Sequence, residues 1–405
     1  MTSSISTYPL RSAAGGNARS RRLFIVEFDL AELSSHFFNQ VLGFKLAAAE
    51  LGLEPCVLVG EGADAQLTAL LAARRVINFK PRMIGSPDYD LDCFADGDSQ
   101  LRSLWSTIEA LDVSSDDIVL VTSGRPIVIY SLGAWLGRLD RRSRPAVFFR
   151  FFGGDYYDPT TRTFSQHSWM QRFAARDLSL RSGEDRVFFT ANNSKLIEPL
   201  SRLCMRRVFQ MPIPKFYGDI QTSGHGDAGS PVIYTHMNMR CGIMLAEIES
   251  LIRTVLDSSP DVRFILKYGR YALDGGAAAV LSPDLLSRGV ELIPAEQPHL
   301  DYLRIIASSD IILLPYEVEK YTSLASGVFA EGAAYGKVMV YPGKSWMEDQ
   351  VAGGHAAGVS FGATNQSEIS AAVLQAIGSL PELSKRRRSD RKASARKTVA
   401  GGTSS

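Results

Sequence analysis

The 405-residue chain is poor in metal-ligand and disulfide chemistry: its four cysteines, Cys56, Cys93, Cys204 and Cys241, stand far apart, and its six histidines form no cluster beside them. Without a CxxC pair or a Cys/His set at ligand spacing, neither a disulfide scaffold nor a structural zinc site is expected. Long hydrophobic runs are also missing. None approaches the ~18 residues of a membrane span, and the best candidate is interrupted by Arg125 and Pro126. The start of the chain lacks the apolar stretch of about 7 to 15 residues that marks a secretory signal, so a cytoplasmic location is expected. No internal repeat is visible at the periods of roughly 20 to 50 residues that mark solenoids.

Net charge is small, +1, but it is unevenly placed. Residues 384–405 hold eight Lys/Arg (from Lys385 to Lys397) against Asp390, and residues 1–22 hold four arginines and no acid. The remainder therefore carries 32 basic against 42 acidic residues, a net of −10. An acidic body with basic ends is a poor nucleic-acid platform, because phosphate neutralisation needs a basic surface on the fold itself. With 45% hydrophobic and 21% charged residues, disorder can only be local. At about 150 residues per domain, two or three domains are expected.

What is present is an alternation of strand and helix. Leu23–Phe28 is an apolar, strand-forming run, His36–Leu51 has a helical period stopped at Gly52, and Pro55–Val59 is a second strand, which together make a βαβ unit. The pattern continues through a helix at 101–111, a strand at 118–121, a helix at 127–139, and strands at 146–151 and 187–190, the last followed by a helix at 194–203. Pro212-Ile213-Pro214 fits neither a helix nor a central strand, since its two prolines lack backbone donors. It reads as a hinge. The alternation restarts at Val232–Thr235 and runs through helices at 243–256, 300–308, 328–335 and 368–377, with strands at 262–267, 290–293, 311–314 and 338–341. The expected organisation is a basic, disordered segment 1–21, a Rossmann-like domain 22–212, a hinge 213–230, a second Rossmann-like domain 231–380, and a basic, disordered tail 381–405. Ligands of such folds bind at the carboxyl ends of the strands, here in the cleft between domains.

The most informative stretch runs from Asp310 to Lys337. A buried strand ends at Pro315-Tyr316, a polar loop follows, and Ser326-Gly327 opens a helix bearing Val328, Phe329 and Glu331. Unpaired amides at a helix start favour an anion, Gly327 would let a phosphate approach the backbone, and a carboxylate one turn in can accept from both ribose hydroxyls. The plainer alternative is an ordinary Ser326 N-cap with an ordinary early-helix acid.

Asp310–Pro315, Ser326–Ala333, Gly336-Lys337-Val338 and Trp346 resemble the donor segment of retaining GT-B glycosyltransferases of family 4, as do Asn192-Asn193-Ser194 and the Pro212–Pro214 hinge. The resemblance covers about 20–380, although only the segment around Glu331 is specific. It implies two Rossmann-like domains facing across a cleft, a nucleotide-sugar donor on the C-terminal domain, an acceptor on the N-terminal one, and neither metal nor cofactor. Three departures stand out. Where the family's motif is Glu, seven residues, Glu, the first position here is Ser323. The pair of basic residues after the first C-domain strand is out of register, with Arg240 one place before the expected lysine and Thr235 or His236 at the arginine site; Lys267 and Arg270 are the substitutes. Ser34-Ser35-His36 takes the place of the glycine-rich loop after the first strand.

On the acceptor side, Arg150-Phe151-Phe152-Gly153-Gly154-Asp155 leaves a strand through two glycines, so Arg150, Asp155 and His36 are the candidate catalytic residues, with Ser123-Gly124-Arg125-Pro126 a second strand exit of the same kind. The donor set is Glu331, Gly327, Val328, Phe329, Ser326, Ser323, Lys267, Arg240 and Tyr316. The expected activity is hexosyl transfer from a nucleotide-diphosphate sugar to a hydroxyl of a polysaccharide, glycan or lipid-linked acceptor, with retained configuration and no metal. Two alternatives stay open: a catalytically silent partner of the same fold, and a nucleotide-sugar epimerase, for which the N-terminal domain shows no paired carboxylates. The Lys385–Lys397 tail is either a solvated end or a peripheral contact with an anionic membrane face.

Overall fold

The computed structural model describes residues 20–31, 36–78, 91–151, 157–158, 161–165, 168–183, 185–214, 230–237, 241–268, 281–294, 297–322 and 324–384. The first half contains β1 (Arg22–Glu27), α1 (His36–Glu50), β2 (Glu54–Gly60), α2 (Ala65–Leu71), β3 (Arg74–Ile77), α3 (Leu91–Ala110), β4 (Ile118–Val121), α4 (Pro126–Arg138) and β5 (Ala146–Phe151). It continues with a short antiparallel hairpin, β6 (Tyr157–Asp158) and β7 (Thr163–Phe164), then α5 (Ser168–Ser182), β8 (Val187–Ala191), α6 (Ser194–Cys204) and β9 (Val208–Gln210). Seven of these strands form one parallel sheet in the order β3-β2-β1-β4-β5-β8-β9.

Local chemistry explains the boundaries. Pro126 sits in the first turn of α4, where its missing amide costs nothing. Asp64 caps α2 by accepting from the Gln66 and Leu67 amides, and Asn193 caps α6 by accepting from Lys195 N. Phe24, Ile25 and Val26 of β1 are all fully buried, as a parallel strand covered on both faces requires. One face packs under α3, α4 and α5 around the stacked Trp105–Trp135 pair, 5.0 Å between centroids, with Trp105 Nε1 donating to Ser131 Oγ at 2.7 Å. The other face packs against α1 and α2.

The second half contains β10 (Val232–Met237), α7 (Leu245–Ser258), β11 (Arg263–Tyr268), α8 (Pro283–Ser287), β12 (Val290–Pro294), α9 (His299–Ser308), β13 (Ile311–Leu313), α10 (Gly327–Ala334), β14 (Val338–Pro342), α11 (Trp346–Ala352), β15 (Ala357–Phe361) and α12 (Gln366–Gly378). Its six strands form a parallel sheet in the order β12-β11-β10-β13-β14-β15. Both sheets reverse strand order once, between β1 and β4 and between β10 and β13, which places a topological switch point in each domain.

Several elements differ from the sequence reading. Helix α3 begins ten residues before the expected Leu101, since Asp92, Asp96, Gly97 and Asp98 dilute its apolar period. Helix α5 was not expected: its buried face, Met170, Gln171, Ala174, Ala175, Leu178 and Ser182, is built largely from small and polar residues. The short elements α2, β3, α8, α11 and β15 were also unannounced, each being seven residues or fewer.

The connection at 211–214 straddles the two halves. Met211 packs on the first domain's core and Ile213 on the second's. A Cβ added at Gly43 of α1 would lie 2.8 Å from Pro214 Cβ, so α1 lies directly against this segment. The domains also meet through Lys195, which donates to Lys344 O at 2.8 Å and lies 3.7 Å from Asp349.

Candidate functional site

Glu331 lies one turn inside α10, whose N-terminus opens beside the switch point of the C-terminal sheet. Its carboxylate is held from both domains. Oε1 accepts from Asn39 Nδ2 of α1 at 2.7 Å, and Oε2 accepts from Tyr302 Oη of α9 at 2.5 Å. Lys267, near the end of β11, sets its ammonium 4.5 Å from the Tyr302 ring centroid, a cation–π contact within the field of Glu331. Tyr234 of β10 packs edge-on against Tyr302, 6.4 Å between centroids.

Burial governs the protonation of this cluster. It pushes the Glu331 carboxyl above its ordinary range, opposed by the Tyr302 and Asn39 hydrogen bonds and by the charge of Lys267. It pulls Lys267 down, opposed by Glu331. Tyr302 and Tyr234 rise well above the ordinary phenol value, through burial first and the Glu331 charge second, and so stay neutral.

The start of α10 combines the two readings made from sequence. Ser326 is the N-cap, its Oγ accepting from Phe329 N at 3.1 Å, and the amides of Gly327 and Val328 precede that capped position. The Phe329 side chain is buried, edge-on to Tyr341 and Trp346. It supplies packing, and only its backbone belongs to the helix start. Tyr316 is likewise no surface contact: it is buried and stacked on Tyr321 at 4.2 Å, and its backbone bridges to Cys241. Ser323, Arg240 and Arg270 lie outside the described residues.

On the N-terminal side, Asp155 also lies outside the described residues, as do Ser34 and Ser35. His36 opens α1, but its side chain is outside the described set. Arg150 corrects the expectation of a strand-exit side chain. It is a residue of β5, fully buried, its guanidinium 5.7 Å from the Phe44 ring centroid. Burial brings it down to about 10, with Glu27 pulling it back up, so it remains a cation at neutral pH. It supports the domain's polar interior and has no exposed surface to offer an acceptor.

Glu27, absent from the sequence candidates, is the centre of that interior. It ends β1, fully buried, and accepts from Asp29 N at 2.9 Å, Ser123 Oγ at 2.7 Å and Thr122 Oγ1 at 2.5 Å. Burial, then the neighbouring charge of Asp29, raises its carboxyl to about 7 against these three hydrogen bonds. Arg125 pairs with Asp29 at 3.2 Å on the rim. The Ser123–Pro126 exit is therefore tied to the end of β1 across the N-terminal switch point. Asn39 and Tyr302 were missed too. The one available signal for Asn39 was its place three residues after His36, on the same face of α1.

Among the described residues no three His, Cys, Asp or Glu side chains gather as a set that could hold a metal ion, and no helix is long and apolar enough to cross a membrane. The Lys385–Lys397 tail lies outside the described residues.

No family model and no curated protein matches the chain. Solved structures do. A glycosyltransferase from Rickettsia africae ESF-5 is 11% identical with a TM-score of 0.56, over 93% of this chain and 93% of that one. The glycosyltransferase of kitacinnamycin is 15% identical with a TM-score of 0.56, over 92% and 94%. An α,α-trehalose 6-phosphate synthase from Burkholderia multivorans is 11% identical with a TM-score of 0.55, over 92% and 94%. The likeness spans both domains of this chain, and the fold is GT-B: two parallel-sheet Rossmann-like domains.

Proposed function

We propose that this protein transfers a hexosyl group from a nucleotide-diphosphate sugar to an acceptor hydroxyl, with retained configuration, without a metal and without a cofactor. The observation that carries this reading is the position of Glu331, a carboxylate one turn inside a helix that starts at the switch point of the C-terminal domain and faces a residue of the other domain. A ribose would replace Asn39 on Oε1, leaving Tyr302 to hold Oε2. The diphosphate would lie towards the Gly327 and Val328 amides, where the helix dipole favours negative charge. As the glycosidic bond breaks, charge grows on the leaving diphosphate, and these preorganised amides together with Lys267 stabilise it. That diphosphate can accept the acceptor's proton. The acceptor, a glycan or a lipid-linked sugar, would enter from the N-terminal domain.

A second reading, a silent GT-B partner protein, is favoured by one feature: Lys267 is engaged with the Tyr302 face. The test is a thermal-shift panel of UDP, GDP, ADP, CMP and their common sugars with and without EDTA, on the natural chain and on Glu331→Ala. Saturation at about 100 times the dissociation constant stabilises by about 2.7 kcal/mol. An EDTA-insensitive shift with one diphosphate, lost in Glu331→Ala, and slow consumption of its sugar nucleotide are expected. A shift without any turnover across an acceptor panel supports the silent partner; no shift at all overturns the donor site.

A further inference from the structure

The large apolar side chains exposed among the described residues include three on a single helix, α5: Trp169 at 46%, Phe173 at 49% and Leu180 at 76%. At about 100° per residue, Trp169, Phe173, Arg176 and Leu180 fall within a stripe about 60° wide, with Arg172 on its flank. The stripe is presented on a firm base. Helix α5 lies so close to α4 that a Cβ added at Gly133 would stand 2.9 Å from Leu178 Cα, and Phe173 stacks on Tyr130 of α4 at 6.0 Å. The helix therefore cannot roll to hide these groups.

Charge distinguishes this face from an ordinary exposed helix. The only acid on α5 is Asp177, and it is committed to Arg181 at 2.7 Å. Arg181 lies over the Tyr130 ring and donates to its hydroxyl at 3.3 Å, which holds that pair to one side. Among the described residues Arg172 and Arg176 enter no ion pair, that of α5 being Asp177–Arg181, so the stripe itself carries two arginines and no acid on a chain whose body is acidic overall.

We propose that the outer face of α5 is a docking surface for an anionic lipid bilayer, with Trp169, Phe173 and Leu180 entering the interface and Arg172 and Arg176 meeting lipid phosphates. A rigid aromatic with a polar edge prefers the headgroup boundary, arginine snorkels beside it, and a basic side chain near an anionic leaflet gains about 1 kcal/mol. A second copy of the chain fits this face poorly. A two-fold interface would set the same patch on both sides and gather the arginines of both copies in one interface with no acid on the stripe to pair with them. The assignment is independent of the proposed sugar transfer.

The natural full-length chain is to be mixed with vesicles of phosphatidylcholine alone or with added phosphatidylglycerol, reading cosedimentation and tryptophan emission. Trp105, Trp135 and Trp346 are buried, so a blue shift on adding vesicles reports Trp169. Binding and a blue shift with the anionic vesicles only, weakening as salt rises, are expected. Trp169→Ala/Phe173→Ala and Arg172→Glu/Arg176→Glu, all at exposed positions, should each bind at least tenfold more weakly while keeping the natural melting temperature within a few degrees. Should both double variants bind like the natural chain, or Trp169 emission stay unmoved on bound vesicles, the basic tail would be the anchor and the proposal is overturned. Concentration-dependent dimerisation abolished by the same variants, with no vesicle binding, would assign the face to a second copy instead.

Discussion

Asn39 and Glu331, 292 residues apart and on different domains, share a 2.7 Å hydrogen bond. The carboxylate proposed to hold a ribose is thus occupied by an amide from the facing domain, and under that proposal a nucleotide would compete with the amide for Oε1. Asn39→Ala should therefore raise the affinity for a nucleoside diphosphate several-fold, as expected when a hydrogen bond to a charged group no longer competes. Isothermal titration calorimetry would decide; a loss of affinity would instead make Asn39 part of the bound site.

Lys267→Met keeps the stem beside Tyr302 and removes the charge. If the ammonium serves the diphosphate, affinity for the nucleoside diphosphate should fall tenfold or more, while that for the nucleoside alone changes little. Competition binding with both ligands checks this, and equal losses would show that Lys267 acts only through Glu331.

Glu27 predicts a pH dependence of stability. Its folded pKa is raised to about 7, so across the window from the ordinary glutamate range to about 7 the folded chain holds a proton that the unfolded chain has lost. Stability from this group is fully present below that window and is lost as pH rises through it, by at most about 1.4 kcal/mol per unit. Urea unfolding at a series of pH values should show the decline in the natural chain and a flatter profile in Glu27→Gln, which never ionises.

Gly133→Ala should loosen α4 from α5, since the new methyl would meet Leu178 backbone at 2.9 Å. The overpacking cost is about 1 to 3 kcal/mol, visible as a lower melting temperature. An unchanged melt would mean that the helix pair yields without cost.

The fold class was legible because parallel strands buried on both faces must be continuous apolar runs. Ile118–Val121 and Ala146–Phe151 have the same boundaries in sequence and structure. Helix α5 was illegible for the same physical reason that it packs well: alanine and serine allow close approach but leave no apolar period, and its tryptophan and phenylalanine face outward.

Glu331 and its capped helix could be found from local spacing, since Ser326, Gly327 and Glu331 lie within six residues of one another. Its partners could not. Asn39, Lys267 and Tyr302 reach it from three other elements: β11 and α9 of its own domain bring Lys267 and Tyr302, and α1 of the facing domain brings Asn39. Arg150 shows the converse. In sequence it stands beside a glycine pair like a residue on display, whereas in the fold β5 runs one residue past it and lies between β4 and β8, which leaves no exposed surface. Composition and periodicity determined that this chain would form two α/β domains. Which polar residues face one another was decided by long-range packing, because contacts across a cleft leave no regular spacing along the chain.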